Sequence, residues 1–182
     1  MISNSTLEAV KNKDKNSFKV LYQQCIPYVY TVVQRHLSNN SDVPDVIQEI
    51  FARVFLSIHT FDAKKGEFKS WLRRLAINQC YQYYRKENFV QLHVELDNAH
   101  EVADDELLLG ELTKEEIEEL LDNMPDGYRR VFLLVIIDEY THEEVGELLG
   151  ISADSSRSQL SRAKKWLRKH TPPTIKSLAN GL

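Results

Sequence analysis

Two cysteines, six glycines and five prolines are all that 182 residues contain of the residue types that staple, loosen or break a chain. Cys25 and Cys80 have no ligand-spaced partner, which argues against a disulfide framework and fits small buried residues in a reducing compartment. No segment is apolar enough to read as a membrane span. The opening M-I-S-N-S-T-L-E-A-V-K reads as a capped polar helix rather than a leader, so a cytoplasmic protein without membrane insertion is expected. The six histidines, His36, His59, His93, His100, His142 and His170, are scattered without ligand spacing, and no phosphate loop, nucleophile elbow or metal box appears. Neither catalysis nor a metal or other cofactor is expected. Strand-type alternation is also missing. Apolar residues recur at three- and four-residue steps, which predicts an all-α protein of one domain or two small ones.

Charge is unevenly placed. The net of −4 argues against a nucleic-acid partner until its distribution is read. Residues 95–122 hold 12 acids and one base, Lys114, so the rest of the chain carries 22 bases against 15 acids. Two basic blocks flank an acidic one, and such asymmetry is informative where the total is not.

Residues 141–169, T-H-E-E-V-G-E-L-L-G-I-S-A-D-S-S-R-S-Q-L-S-R-A-K-K-W-L-R-K, spell two helices joined by a tight turn. Thr141 and Glu144 make a capping box. Val145, Leu148 and Leu149 form an apolar stripe, and Gly146 sits where the two helices would cross. Gly150 suits a left-handed C-cap. Ser152 can cap the second helix, with Asp154 in its first turn, where an acid suits the dipole. Leu160, Ala163 and Leu167 are expected inside; Arg157, Ser158, Ser161, Arg162, Lys165 and Arg168 are left outside. An ordinary helical hairpin with a solvated basic face would account for the turn. It does not account for bases concentrated on one helix and interleaved with serine and glutamine, the pattern of a helix that enters the major groove.

Further helices are expected upstream. One holds Phe18, Leu21, Tyr22, Ile26, Tyr28, Val29, Val32 and Val33. A second starts at Asp42, with Pro44 in its first turn, and buries Val46, Ile47, Ile50, Phe51, Val54, Phe55 and Ile58. Asp45, Gln48, Glu49 and Ala52 fall together on its opposite face, where solvation alone is the usual explanation. A loop at residues 61–66 precedes a long helix from about Glu67 to Lys86, in which Phe68, Trp71, Tyr81, Tyr83 and Tyr84 alternate with bases. Single strands are bound by that combination of ring faces and cations, although about half of these aromatics are needed for a core. Residues 88–110 lack a period. Two helices follow over 111–138, the first capped by Thr113 with Glu116, the second starting at Pro125 and holding Tyr128, Val131, Phe132, Val135 and Ile136. Pro172-Pro173 stops the last helix.

Taken in order, three of these segments resemble a bacterial sigma factor of the extracytoplasmic-function (ECF) group of the sigma-70 family. D-x-x-D-x-x-Q-E-x-F at residues 42–51 resembles the helix that holds core RNA polymerase. F-D-x-x-K-G-x-F-x-x-W-L-x-x-L-A-x-N-x-C at 61–80 resembles the segment that recognises and melts the −10 element. M-P-D-G-Y-R-R-V-F, E-Y-T-H-E-E-V-G-E-L-L-G-I-S and S-x-S-Q-L-x-R-A-K resemble the domain that reads the −35 element. The resemblance implies a region 2-like domain over 1–90, an acidic linker over 91–110 and a region 4-like helix-turn-helix domain over 111–182. It implies polymerase contacts at Asp45, Gln48, Glu49 and Arg53. For the −10 strand it implies Phe61, Lys64, Lys65, Phe68, Asn78, Tyr81, Gln82 and Arg85. For the −35 groove it implies Arg157, Ser158, Ser161 and Arg162, with Lys165 and Arg168 on phosphates. Core RNA polymerase, promoter DNA and an anti-sigma factor are the expected partners. Ser156 stands where such helices often carry a buried valine, so looser packing is expected there, and the small Ser161 leaves base preference open. The linker reads equally as a strand threaded near the polymerase active centre or as a solvated tether. A helix-turn-helix regulator that never meets polymerase remains the alternative; it leaves the Asp45, Gln48 and Glu49 face unused.

Overall fold

The computed structural model describes residues 2–37, 39–87 and 113–171; the acidic linker and the Pro172-Pro173 stop lie outside them. All regular structure among the described residues is helical. None of these helices is long and apolar enough to cross a membrane. The chain divides into two units, Met1–Val90 and Gln91–Leu182.

The first unit contains α1 (Asn4–Lys11), α2 (Lys15–His36), α3 (Val43–Ser57) and α4 (Phe68–Glu87). Ser3 caps α1 through a bond from the Thr6 amide. Asp14 caps α2, accepting from the Ser17 amide at 2.7 Å; the hydroxyl and amide of Ser17 together hold its carboxyl below the usual carboxylate range. The helix then runs through Pro27, which removes one backbone donor from a long helix without ending it. Short 3-10 turns at Asn40–Asp42 and Ile58–Thr60 bracket α3, and Pro44 occupies its first turn, where a missing N–H costs nothing. α2, α3 and α4 pack pairwise, and α1 packs on α2. Their shared core is built from Leu21, Val29, Val33, Ile50, Val54, Leu72 and Ile77, all buried. Edge-to-face Phe18–Phe55 and tilted Tyr22–Phe51 pairs, with centroids 5.0 and 4.5 Å apart, close one side. Both cysteines are buried and free. Burial pushes the Cys25 thiol up to about 11 and that of Cys80 to about 12.

The second unit contains α5 (Lys114–Asp122), α6 (Asp126–Phe132), α7 (His142–Leu149) and α8 (Ala153–His170). Thr113 and Glu116 form both bonds of a capping box on α5, and Thr141 and Glu144 repeat it on α7. α6 passes into one wide π turn, Leu133–Ile137. That turn alters the expected core: an α-period would bury Val135 and Ile136, but Leu133 and Leu134 are buried instead and Ile136 is exposed. One extra residue in the turn rotates everything after Phe132 around the axis. The widened turn closes through Asp138 N–H to Leu133 O at 3.0 Å, and Tyr140 N–H then bonds Leu134 O at 2.9 Å.

α6 and α7 each pack on α8. Gly150 ends α7 at φ +71°, a left-handed position suited to glycine. Gly146 is required by the turn rather than by a helix crossing. Its carbonyl accepts the Gly150 and Ile151 amides at 2.9 and 3.1 Å, and a Cβ placed on it would lie 2.7 Å from the Ile151 carbonyl oxygen. Ser156 overturns the expectation of loose packing. It is fully buried, and its hydroxyl hydrogen-bonds His142 Nδ1 at 2.8 Å. A polar pair fills the position expected to lack an apolar side chain.

Two outcomes follow from this turn. Gly146→Val should destabilise the fold by about 1–3 kcal/mol, read from denaturant unfolding, because the clash is with backbone that cannot rotate away; an unchanged midpoint would show that the turn opens freely. The second concerns acid. The pKa of His142 lies below the ordinary 6.5, chiefly because burial penalises the charged ring, with Arg157 repelling it and Glu143 partly offsetting this. Its neutral form belongs to the folded state, so the contribution is complete above about pH 6.5 and is lost as pH falls through the folded value. The stability advantage of the native protein over His142→Gln should therefore shrink between pH 7.5 and 5.5 in thermal melts. A constant difference would rule the linkage out.

Candidate nucleic-acid and partner interfaces

Three surfaces carry the residues singled out by the sequence. The first is the outer face of α3. Its inner stripe, Val43, Val46, Ile47, Ile50, Phe51 and Val54, is buried, and Asp45, Gln48, Glu49, Ala52 and Arg53 are all exposed. Leu56 extends the same stripe and is 67% exposed, a large apolar side chain left in water. Sequence reading missed it. The helical spacing 45, 48, 49, 52, 53, 56 contains the signal, but one leucine beside a strongly apolar stripe is indistinguishable from core without the structure.

The second surface surrounds residues 61–68. Asp62 shapes the loop: its Oδ1 accepts from the Lys64 amide at 2.9 Å, and its carbonyl accepts from that of Lys65 at 3.0 Å. Lys64 and Lys65 are exposed. Phe61, Phe68 and Trp71 form a ring cluster with centroids 5.4–5.9 Å apart. Phe61 is only 6% exposed and supports the cluster from inside, yet it still lines the cleft beside the loop. Phe68 remains half-exposed. The loop walls one side of an open cleft of about 780 Å³, and α1 and α2 supply the other side through Leu7, Gln24 and Tyr28. Two cations lie over rings here, Lys11 over Phe61 at 5.7 Å and Lys69 over Tyr28 at 4.8 Å. These α1 and α2 contributions were not legible in the motif, which spans one loop and one helix only.

Along α4, Asn78, Gln82 and Arg85 are exposed. Tyr81, expected beside them, is 2% exposed, with its hydroxyl 3.2 Å from His36 Nδ1 at the end of α2. Its large ring lies at the edge of the stripe and turns inward, where a buried partner satisfies the hydroxyl. Asn78 and Gln82 share a smaller cleft, about 290 Å³, with Arg53 and Trp71. The structure thus brings Arg53 of α3 next to the α4 face rather than leaving it among the acids of its own helix.

The third surface is α8. Arg157 and Lys165 are exposed, and Ser158, Ser161, Arg162 and Arg168 are partly so, while Leu160, Ala163 and Leu167 are buried as expected. Gln159 departs from the reading that glutamine shares the outer face. It is buried, its amide against Gly127 of α6, which leaves the serines and arginines on the outer face of this helix. Arg157 bonds Glu143 of α7 and Asp154 of α8, each at 2.8 Å. Arg168, Lys169 and His170 occupy the last turn, where cations complement the dipole.

Comparison with known proteins connects these surfaces. The Sigma-70 region 2 family matches residues 21–90, and the Sigma-70 region 4 family matches residues 114–167, together more than half of the chain. ECF RNA polymerase sigma factor SigE of Mycolicibacterium smegmatis is 28% identical over 175 residues; the match covers 88% of this chain and 65% of that protein. ECF RNA polymerase sigma factor SigW of Bacillus subtilis is 26% identical over 182 residues, covering 93% of this chain and 96% of that protein. Among solved structures, the sigma factor RpoE in complex with the anti-sigma factor NepR from Bartonella quintana is similar over 84% of this chain and 94% of that one, at 18% identity and a TM-score of 0.49. With both family regions present in order, the first holding the exposed α3 face and the aromatic cleft and the second the helix-turn-helix, the chain belongs to the extracytoplasmic-function group of the sigma-70 family of RNA polymerase sigma factors.

Proposed function

We propose that this protein binds core RNA polymerase, directs it to particular promoters and opens them at the −10 element, without catalysing a reaction itself. It works where the polymerase works, in the cytoplasm, and as a member of this family it is expected to be held in check by an anti-sigma factor. The observation that carries the reading is the outer face of α3. Asp45, Gln48, Glu49 and Leu56 are exposed on a helix whose folding is already accounted for by the opposite stripe. A regulator that only bound DNA would have no use for that face.

The division of labour follows from chemistry. On α3, two carboxylates and an amide lie on one face that continues, two to three turns on, to an exposed leucine, and a specific protein interface uses polar groups and an apolar anchor of these kinds; Asp45, Gln48, Glu49 and Leu56 are assigned to core polymerase. Arg53 is placed at the border of that face, because it shares a cleft with Asn78 and Gln82. Melting requires bases to leave the stack, at a few kcal/mol each. Stacking on aromatic faces returns about 1–3 kcal/mol per base, and nearby cations neutralise phosphates. The cleft beside Lys64 and Lys65, walled by Tyr28 and Phe68, supplies both. Asn78 and Gln82, which line the separate smaller cleft, are assigned with Arg85 to the neighbouring stretch of DNA. In the second unit, Arg157, Ser158, Ser161 and Arg162 are assigned to base edges in the −35 groove, and Lys165 and Arg168 to phosphates.

Two experiments test the assignments. Gln48→Ala combined with Glu49→Ala, and separately Leu56→Ser, should weaken binding of purified core polymerase at least several-fold while thermal midpoints stay nearly unchanged. Normal core binding by both variants would mean that the face is merely solvated. Replacing Lys64 and Lys65 with alanine should lower open-complex formation, read by permanganate reactivity of unpaired thymines, more than closed-complex binding in a gel shift. An equal drop in both signals would assign the loop to docking and remove it from melting.

A further inference from the structure

The N-terminus of α7 is tied to the first turns of α8 by two adjacent contacts. The inner one is the part-buried pair of His142 with the fully buried Ser156. The outer one, one residue on in each helix, is Glu143–Arg157, where the guanidinium Nη2 donates to Glu143 Oε1 at 2.8 Å. Arg157 Nη1 donates at the same time to Asp154 Oδ1, also at 2.8 Å. One cation is therefore held between carboxylates from two helices, and the part-buried pair beneath it fixes the register in which it can be held. Relying on the −35 reading above, we infer that Glu143 and Asp154 are specificity-determining positioning residues: they hold Arg157 away from the phosphates of arbitrary DNA and leave it available for the correct base edge.

The argument is one of competition. Arg157 is 52% exposed and at the leading end of the groove-facing helix, so unrestrained it would attach to any phosphate within reach. The N-termini of α7 and α8 would themselves favour a phosphate. Two exposed carboxylates at that end reverse the preference: with Arg157 they make a cluster of net charge −1, which a phosphate approaches only by displacing an acid from the guanidinium. A base edge makes no such demand. An arginine side chain has five N–H groups in a fixed fork, and two are used here. The remaining ones can meet neutral acceptors such as guanine O6 and N7 while both ion pairs persist. The acids thus weaken binding to all duplexes, but they weaken binding to the wrong ones more.

The test uses the full-length protein bound to core polymerase, a duplex whose −35 segment has been selected from a random pool by the native complex, and a random-sequence duplex as competitor. Glu143→Gln keeps a hydrogen-bonding side chain and removes the charge. It should tighten binding to random duplex by about two- to five-fold, the scale of an exposed ion pair. It should also steepen the salt dependence there by about one unit, the signature of one added phosphate contact, and lower the ratio of selected to random affinity. In an Arg157→Ala background the same substitution should leave that ratio unchanged. A fall in the ratio of equal size in both backgrounds would overturn the inference, since the acid would then act as general surface charge. So would a ratio that does not move in the native background. If the native complex selects no −35 sequence at all, the promoter reading fails, and this inference with it.

Discussion

Everything in the first unit depends on the burial of one stripe of α3 between α2 and α4. Val43, Val46, Ile47, Ile50, Phe51 and Val54 leave water together. At about 1.5–3 kcal/mol for each large apolar side chain, their gross contribution is comparable to the whole net stability of a small domain. Because that stripe alone secures the helix, the opposite face is released from any folding duty and can carry acids, an amide and a bare leucine. The same packing sets the spacing of α2 and α4, and with it the cleft at the 61–68 loop. Folding and recognition are thus separated within a single helix, by the width of its apolar stripe.

The second unit achieves a similar separation by local means. Two of its short helices, α5 and α7, begin on paired capping residues, and the connection into α8 uses a left-handed glycine and a serine cap. These are interactions between near neighbours in the chain, each worth on the order of 1 kcal/mol. Together they fix where α8 starts and how it rolls, and the roll decides which of its side chains can meet a groove.

Those local signals explain how much was legible in advance. Helices, caps and turns are written in residues three or four apart, so both capping boxes, the Gly150 turn and the two-sided pattern of α3 could be read directly. Errors arose where the deciding partner lies far off in the chain. Tyr81 is satisfied by His36, 45 residues away, and Gln159 is covered by Gly127; Ser156 and His142 are 14 residues apart, and their spacing does not mark them as a pair. Phe61 is more buried than its motif suggests, because its ring packs against Phe68 and Trp71, and an aromatic at the mouth of a loop reads the same whether it faces strand or core. The π turn escaped because one inserted residue shifts a period without altering composition. Leu56 was overlooked because hydrophobicity predicts burial, and a binding surface departs from that rule.

The two thiols bear on a different matter. Reactivity toward peroxide or disulfides resides in the thiolate. With values pushed up to about 11 and about 12, Cys25 and Cys80 would be ionised to only about one part in ten thousand and one in a hundred thousand at neutral pH. Cys80 is wholly buried, and Cys25 is nearly so, at the wall of the cleft. Neither thiol of the folded chain is a ready target for mild oxidants. A redox signal therefore finds no ready entry through these two thiols, and the exposed faces of the helices are left as the part of the protein on which a signal can act.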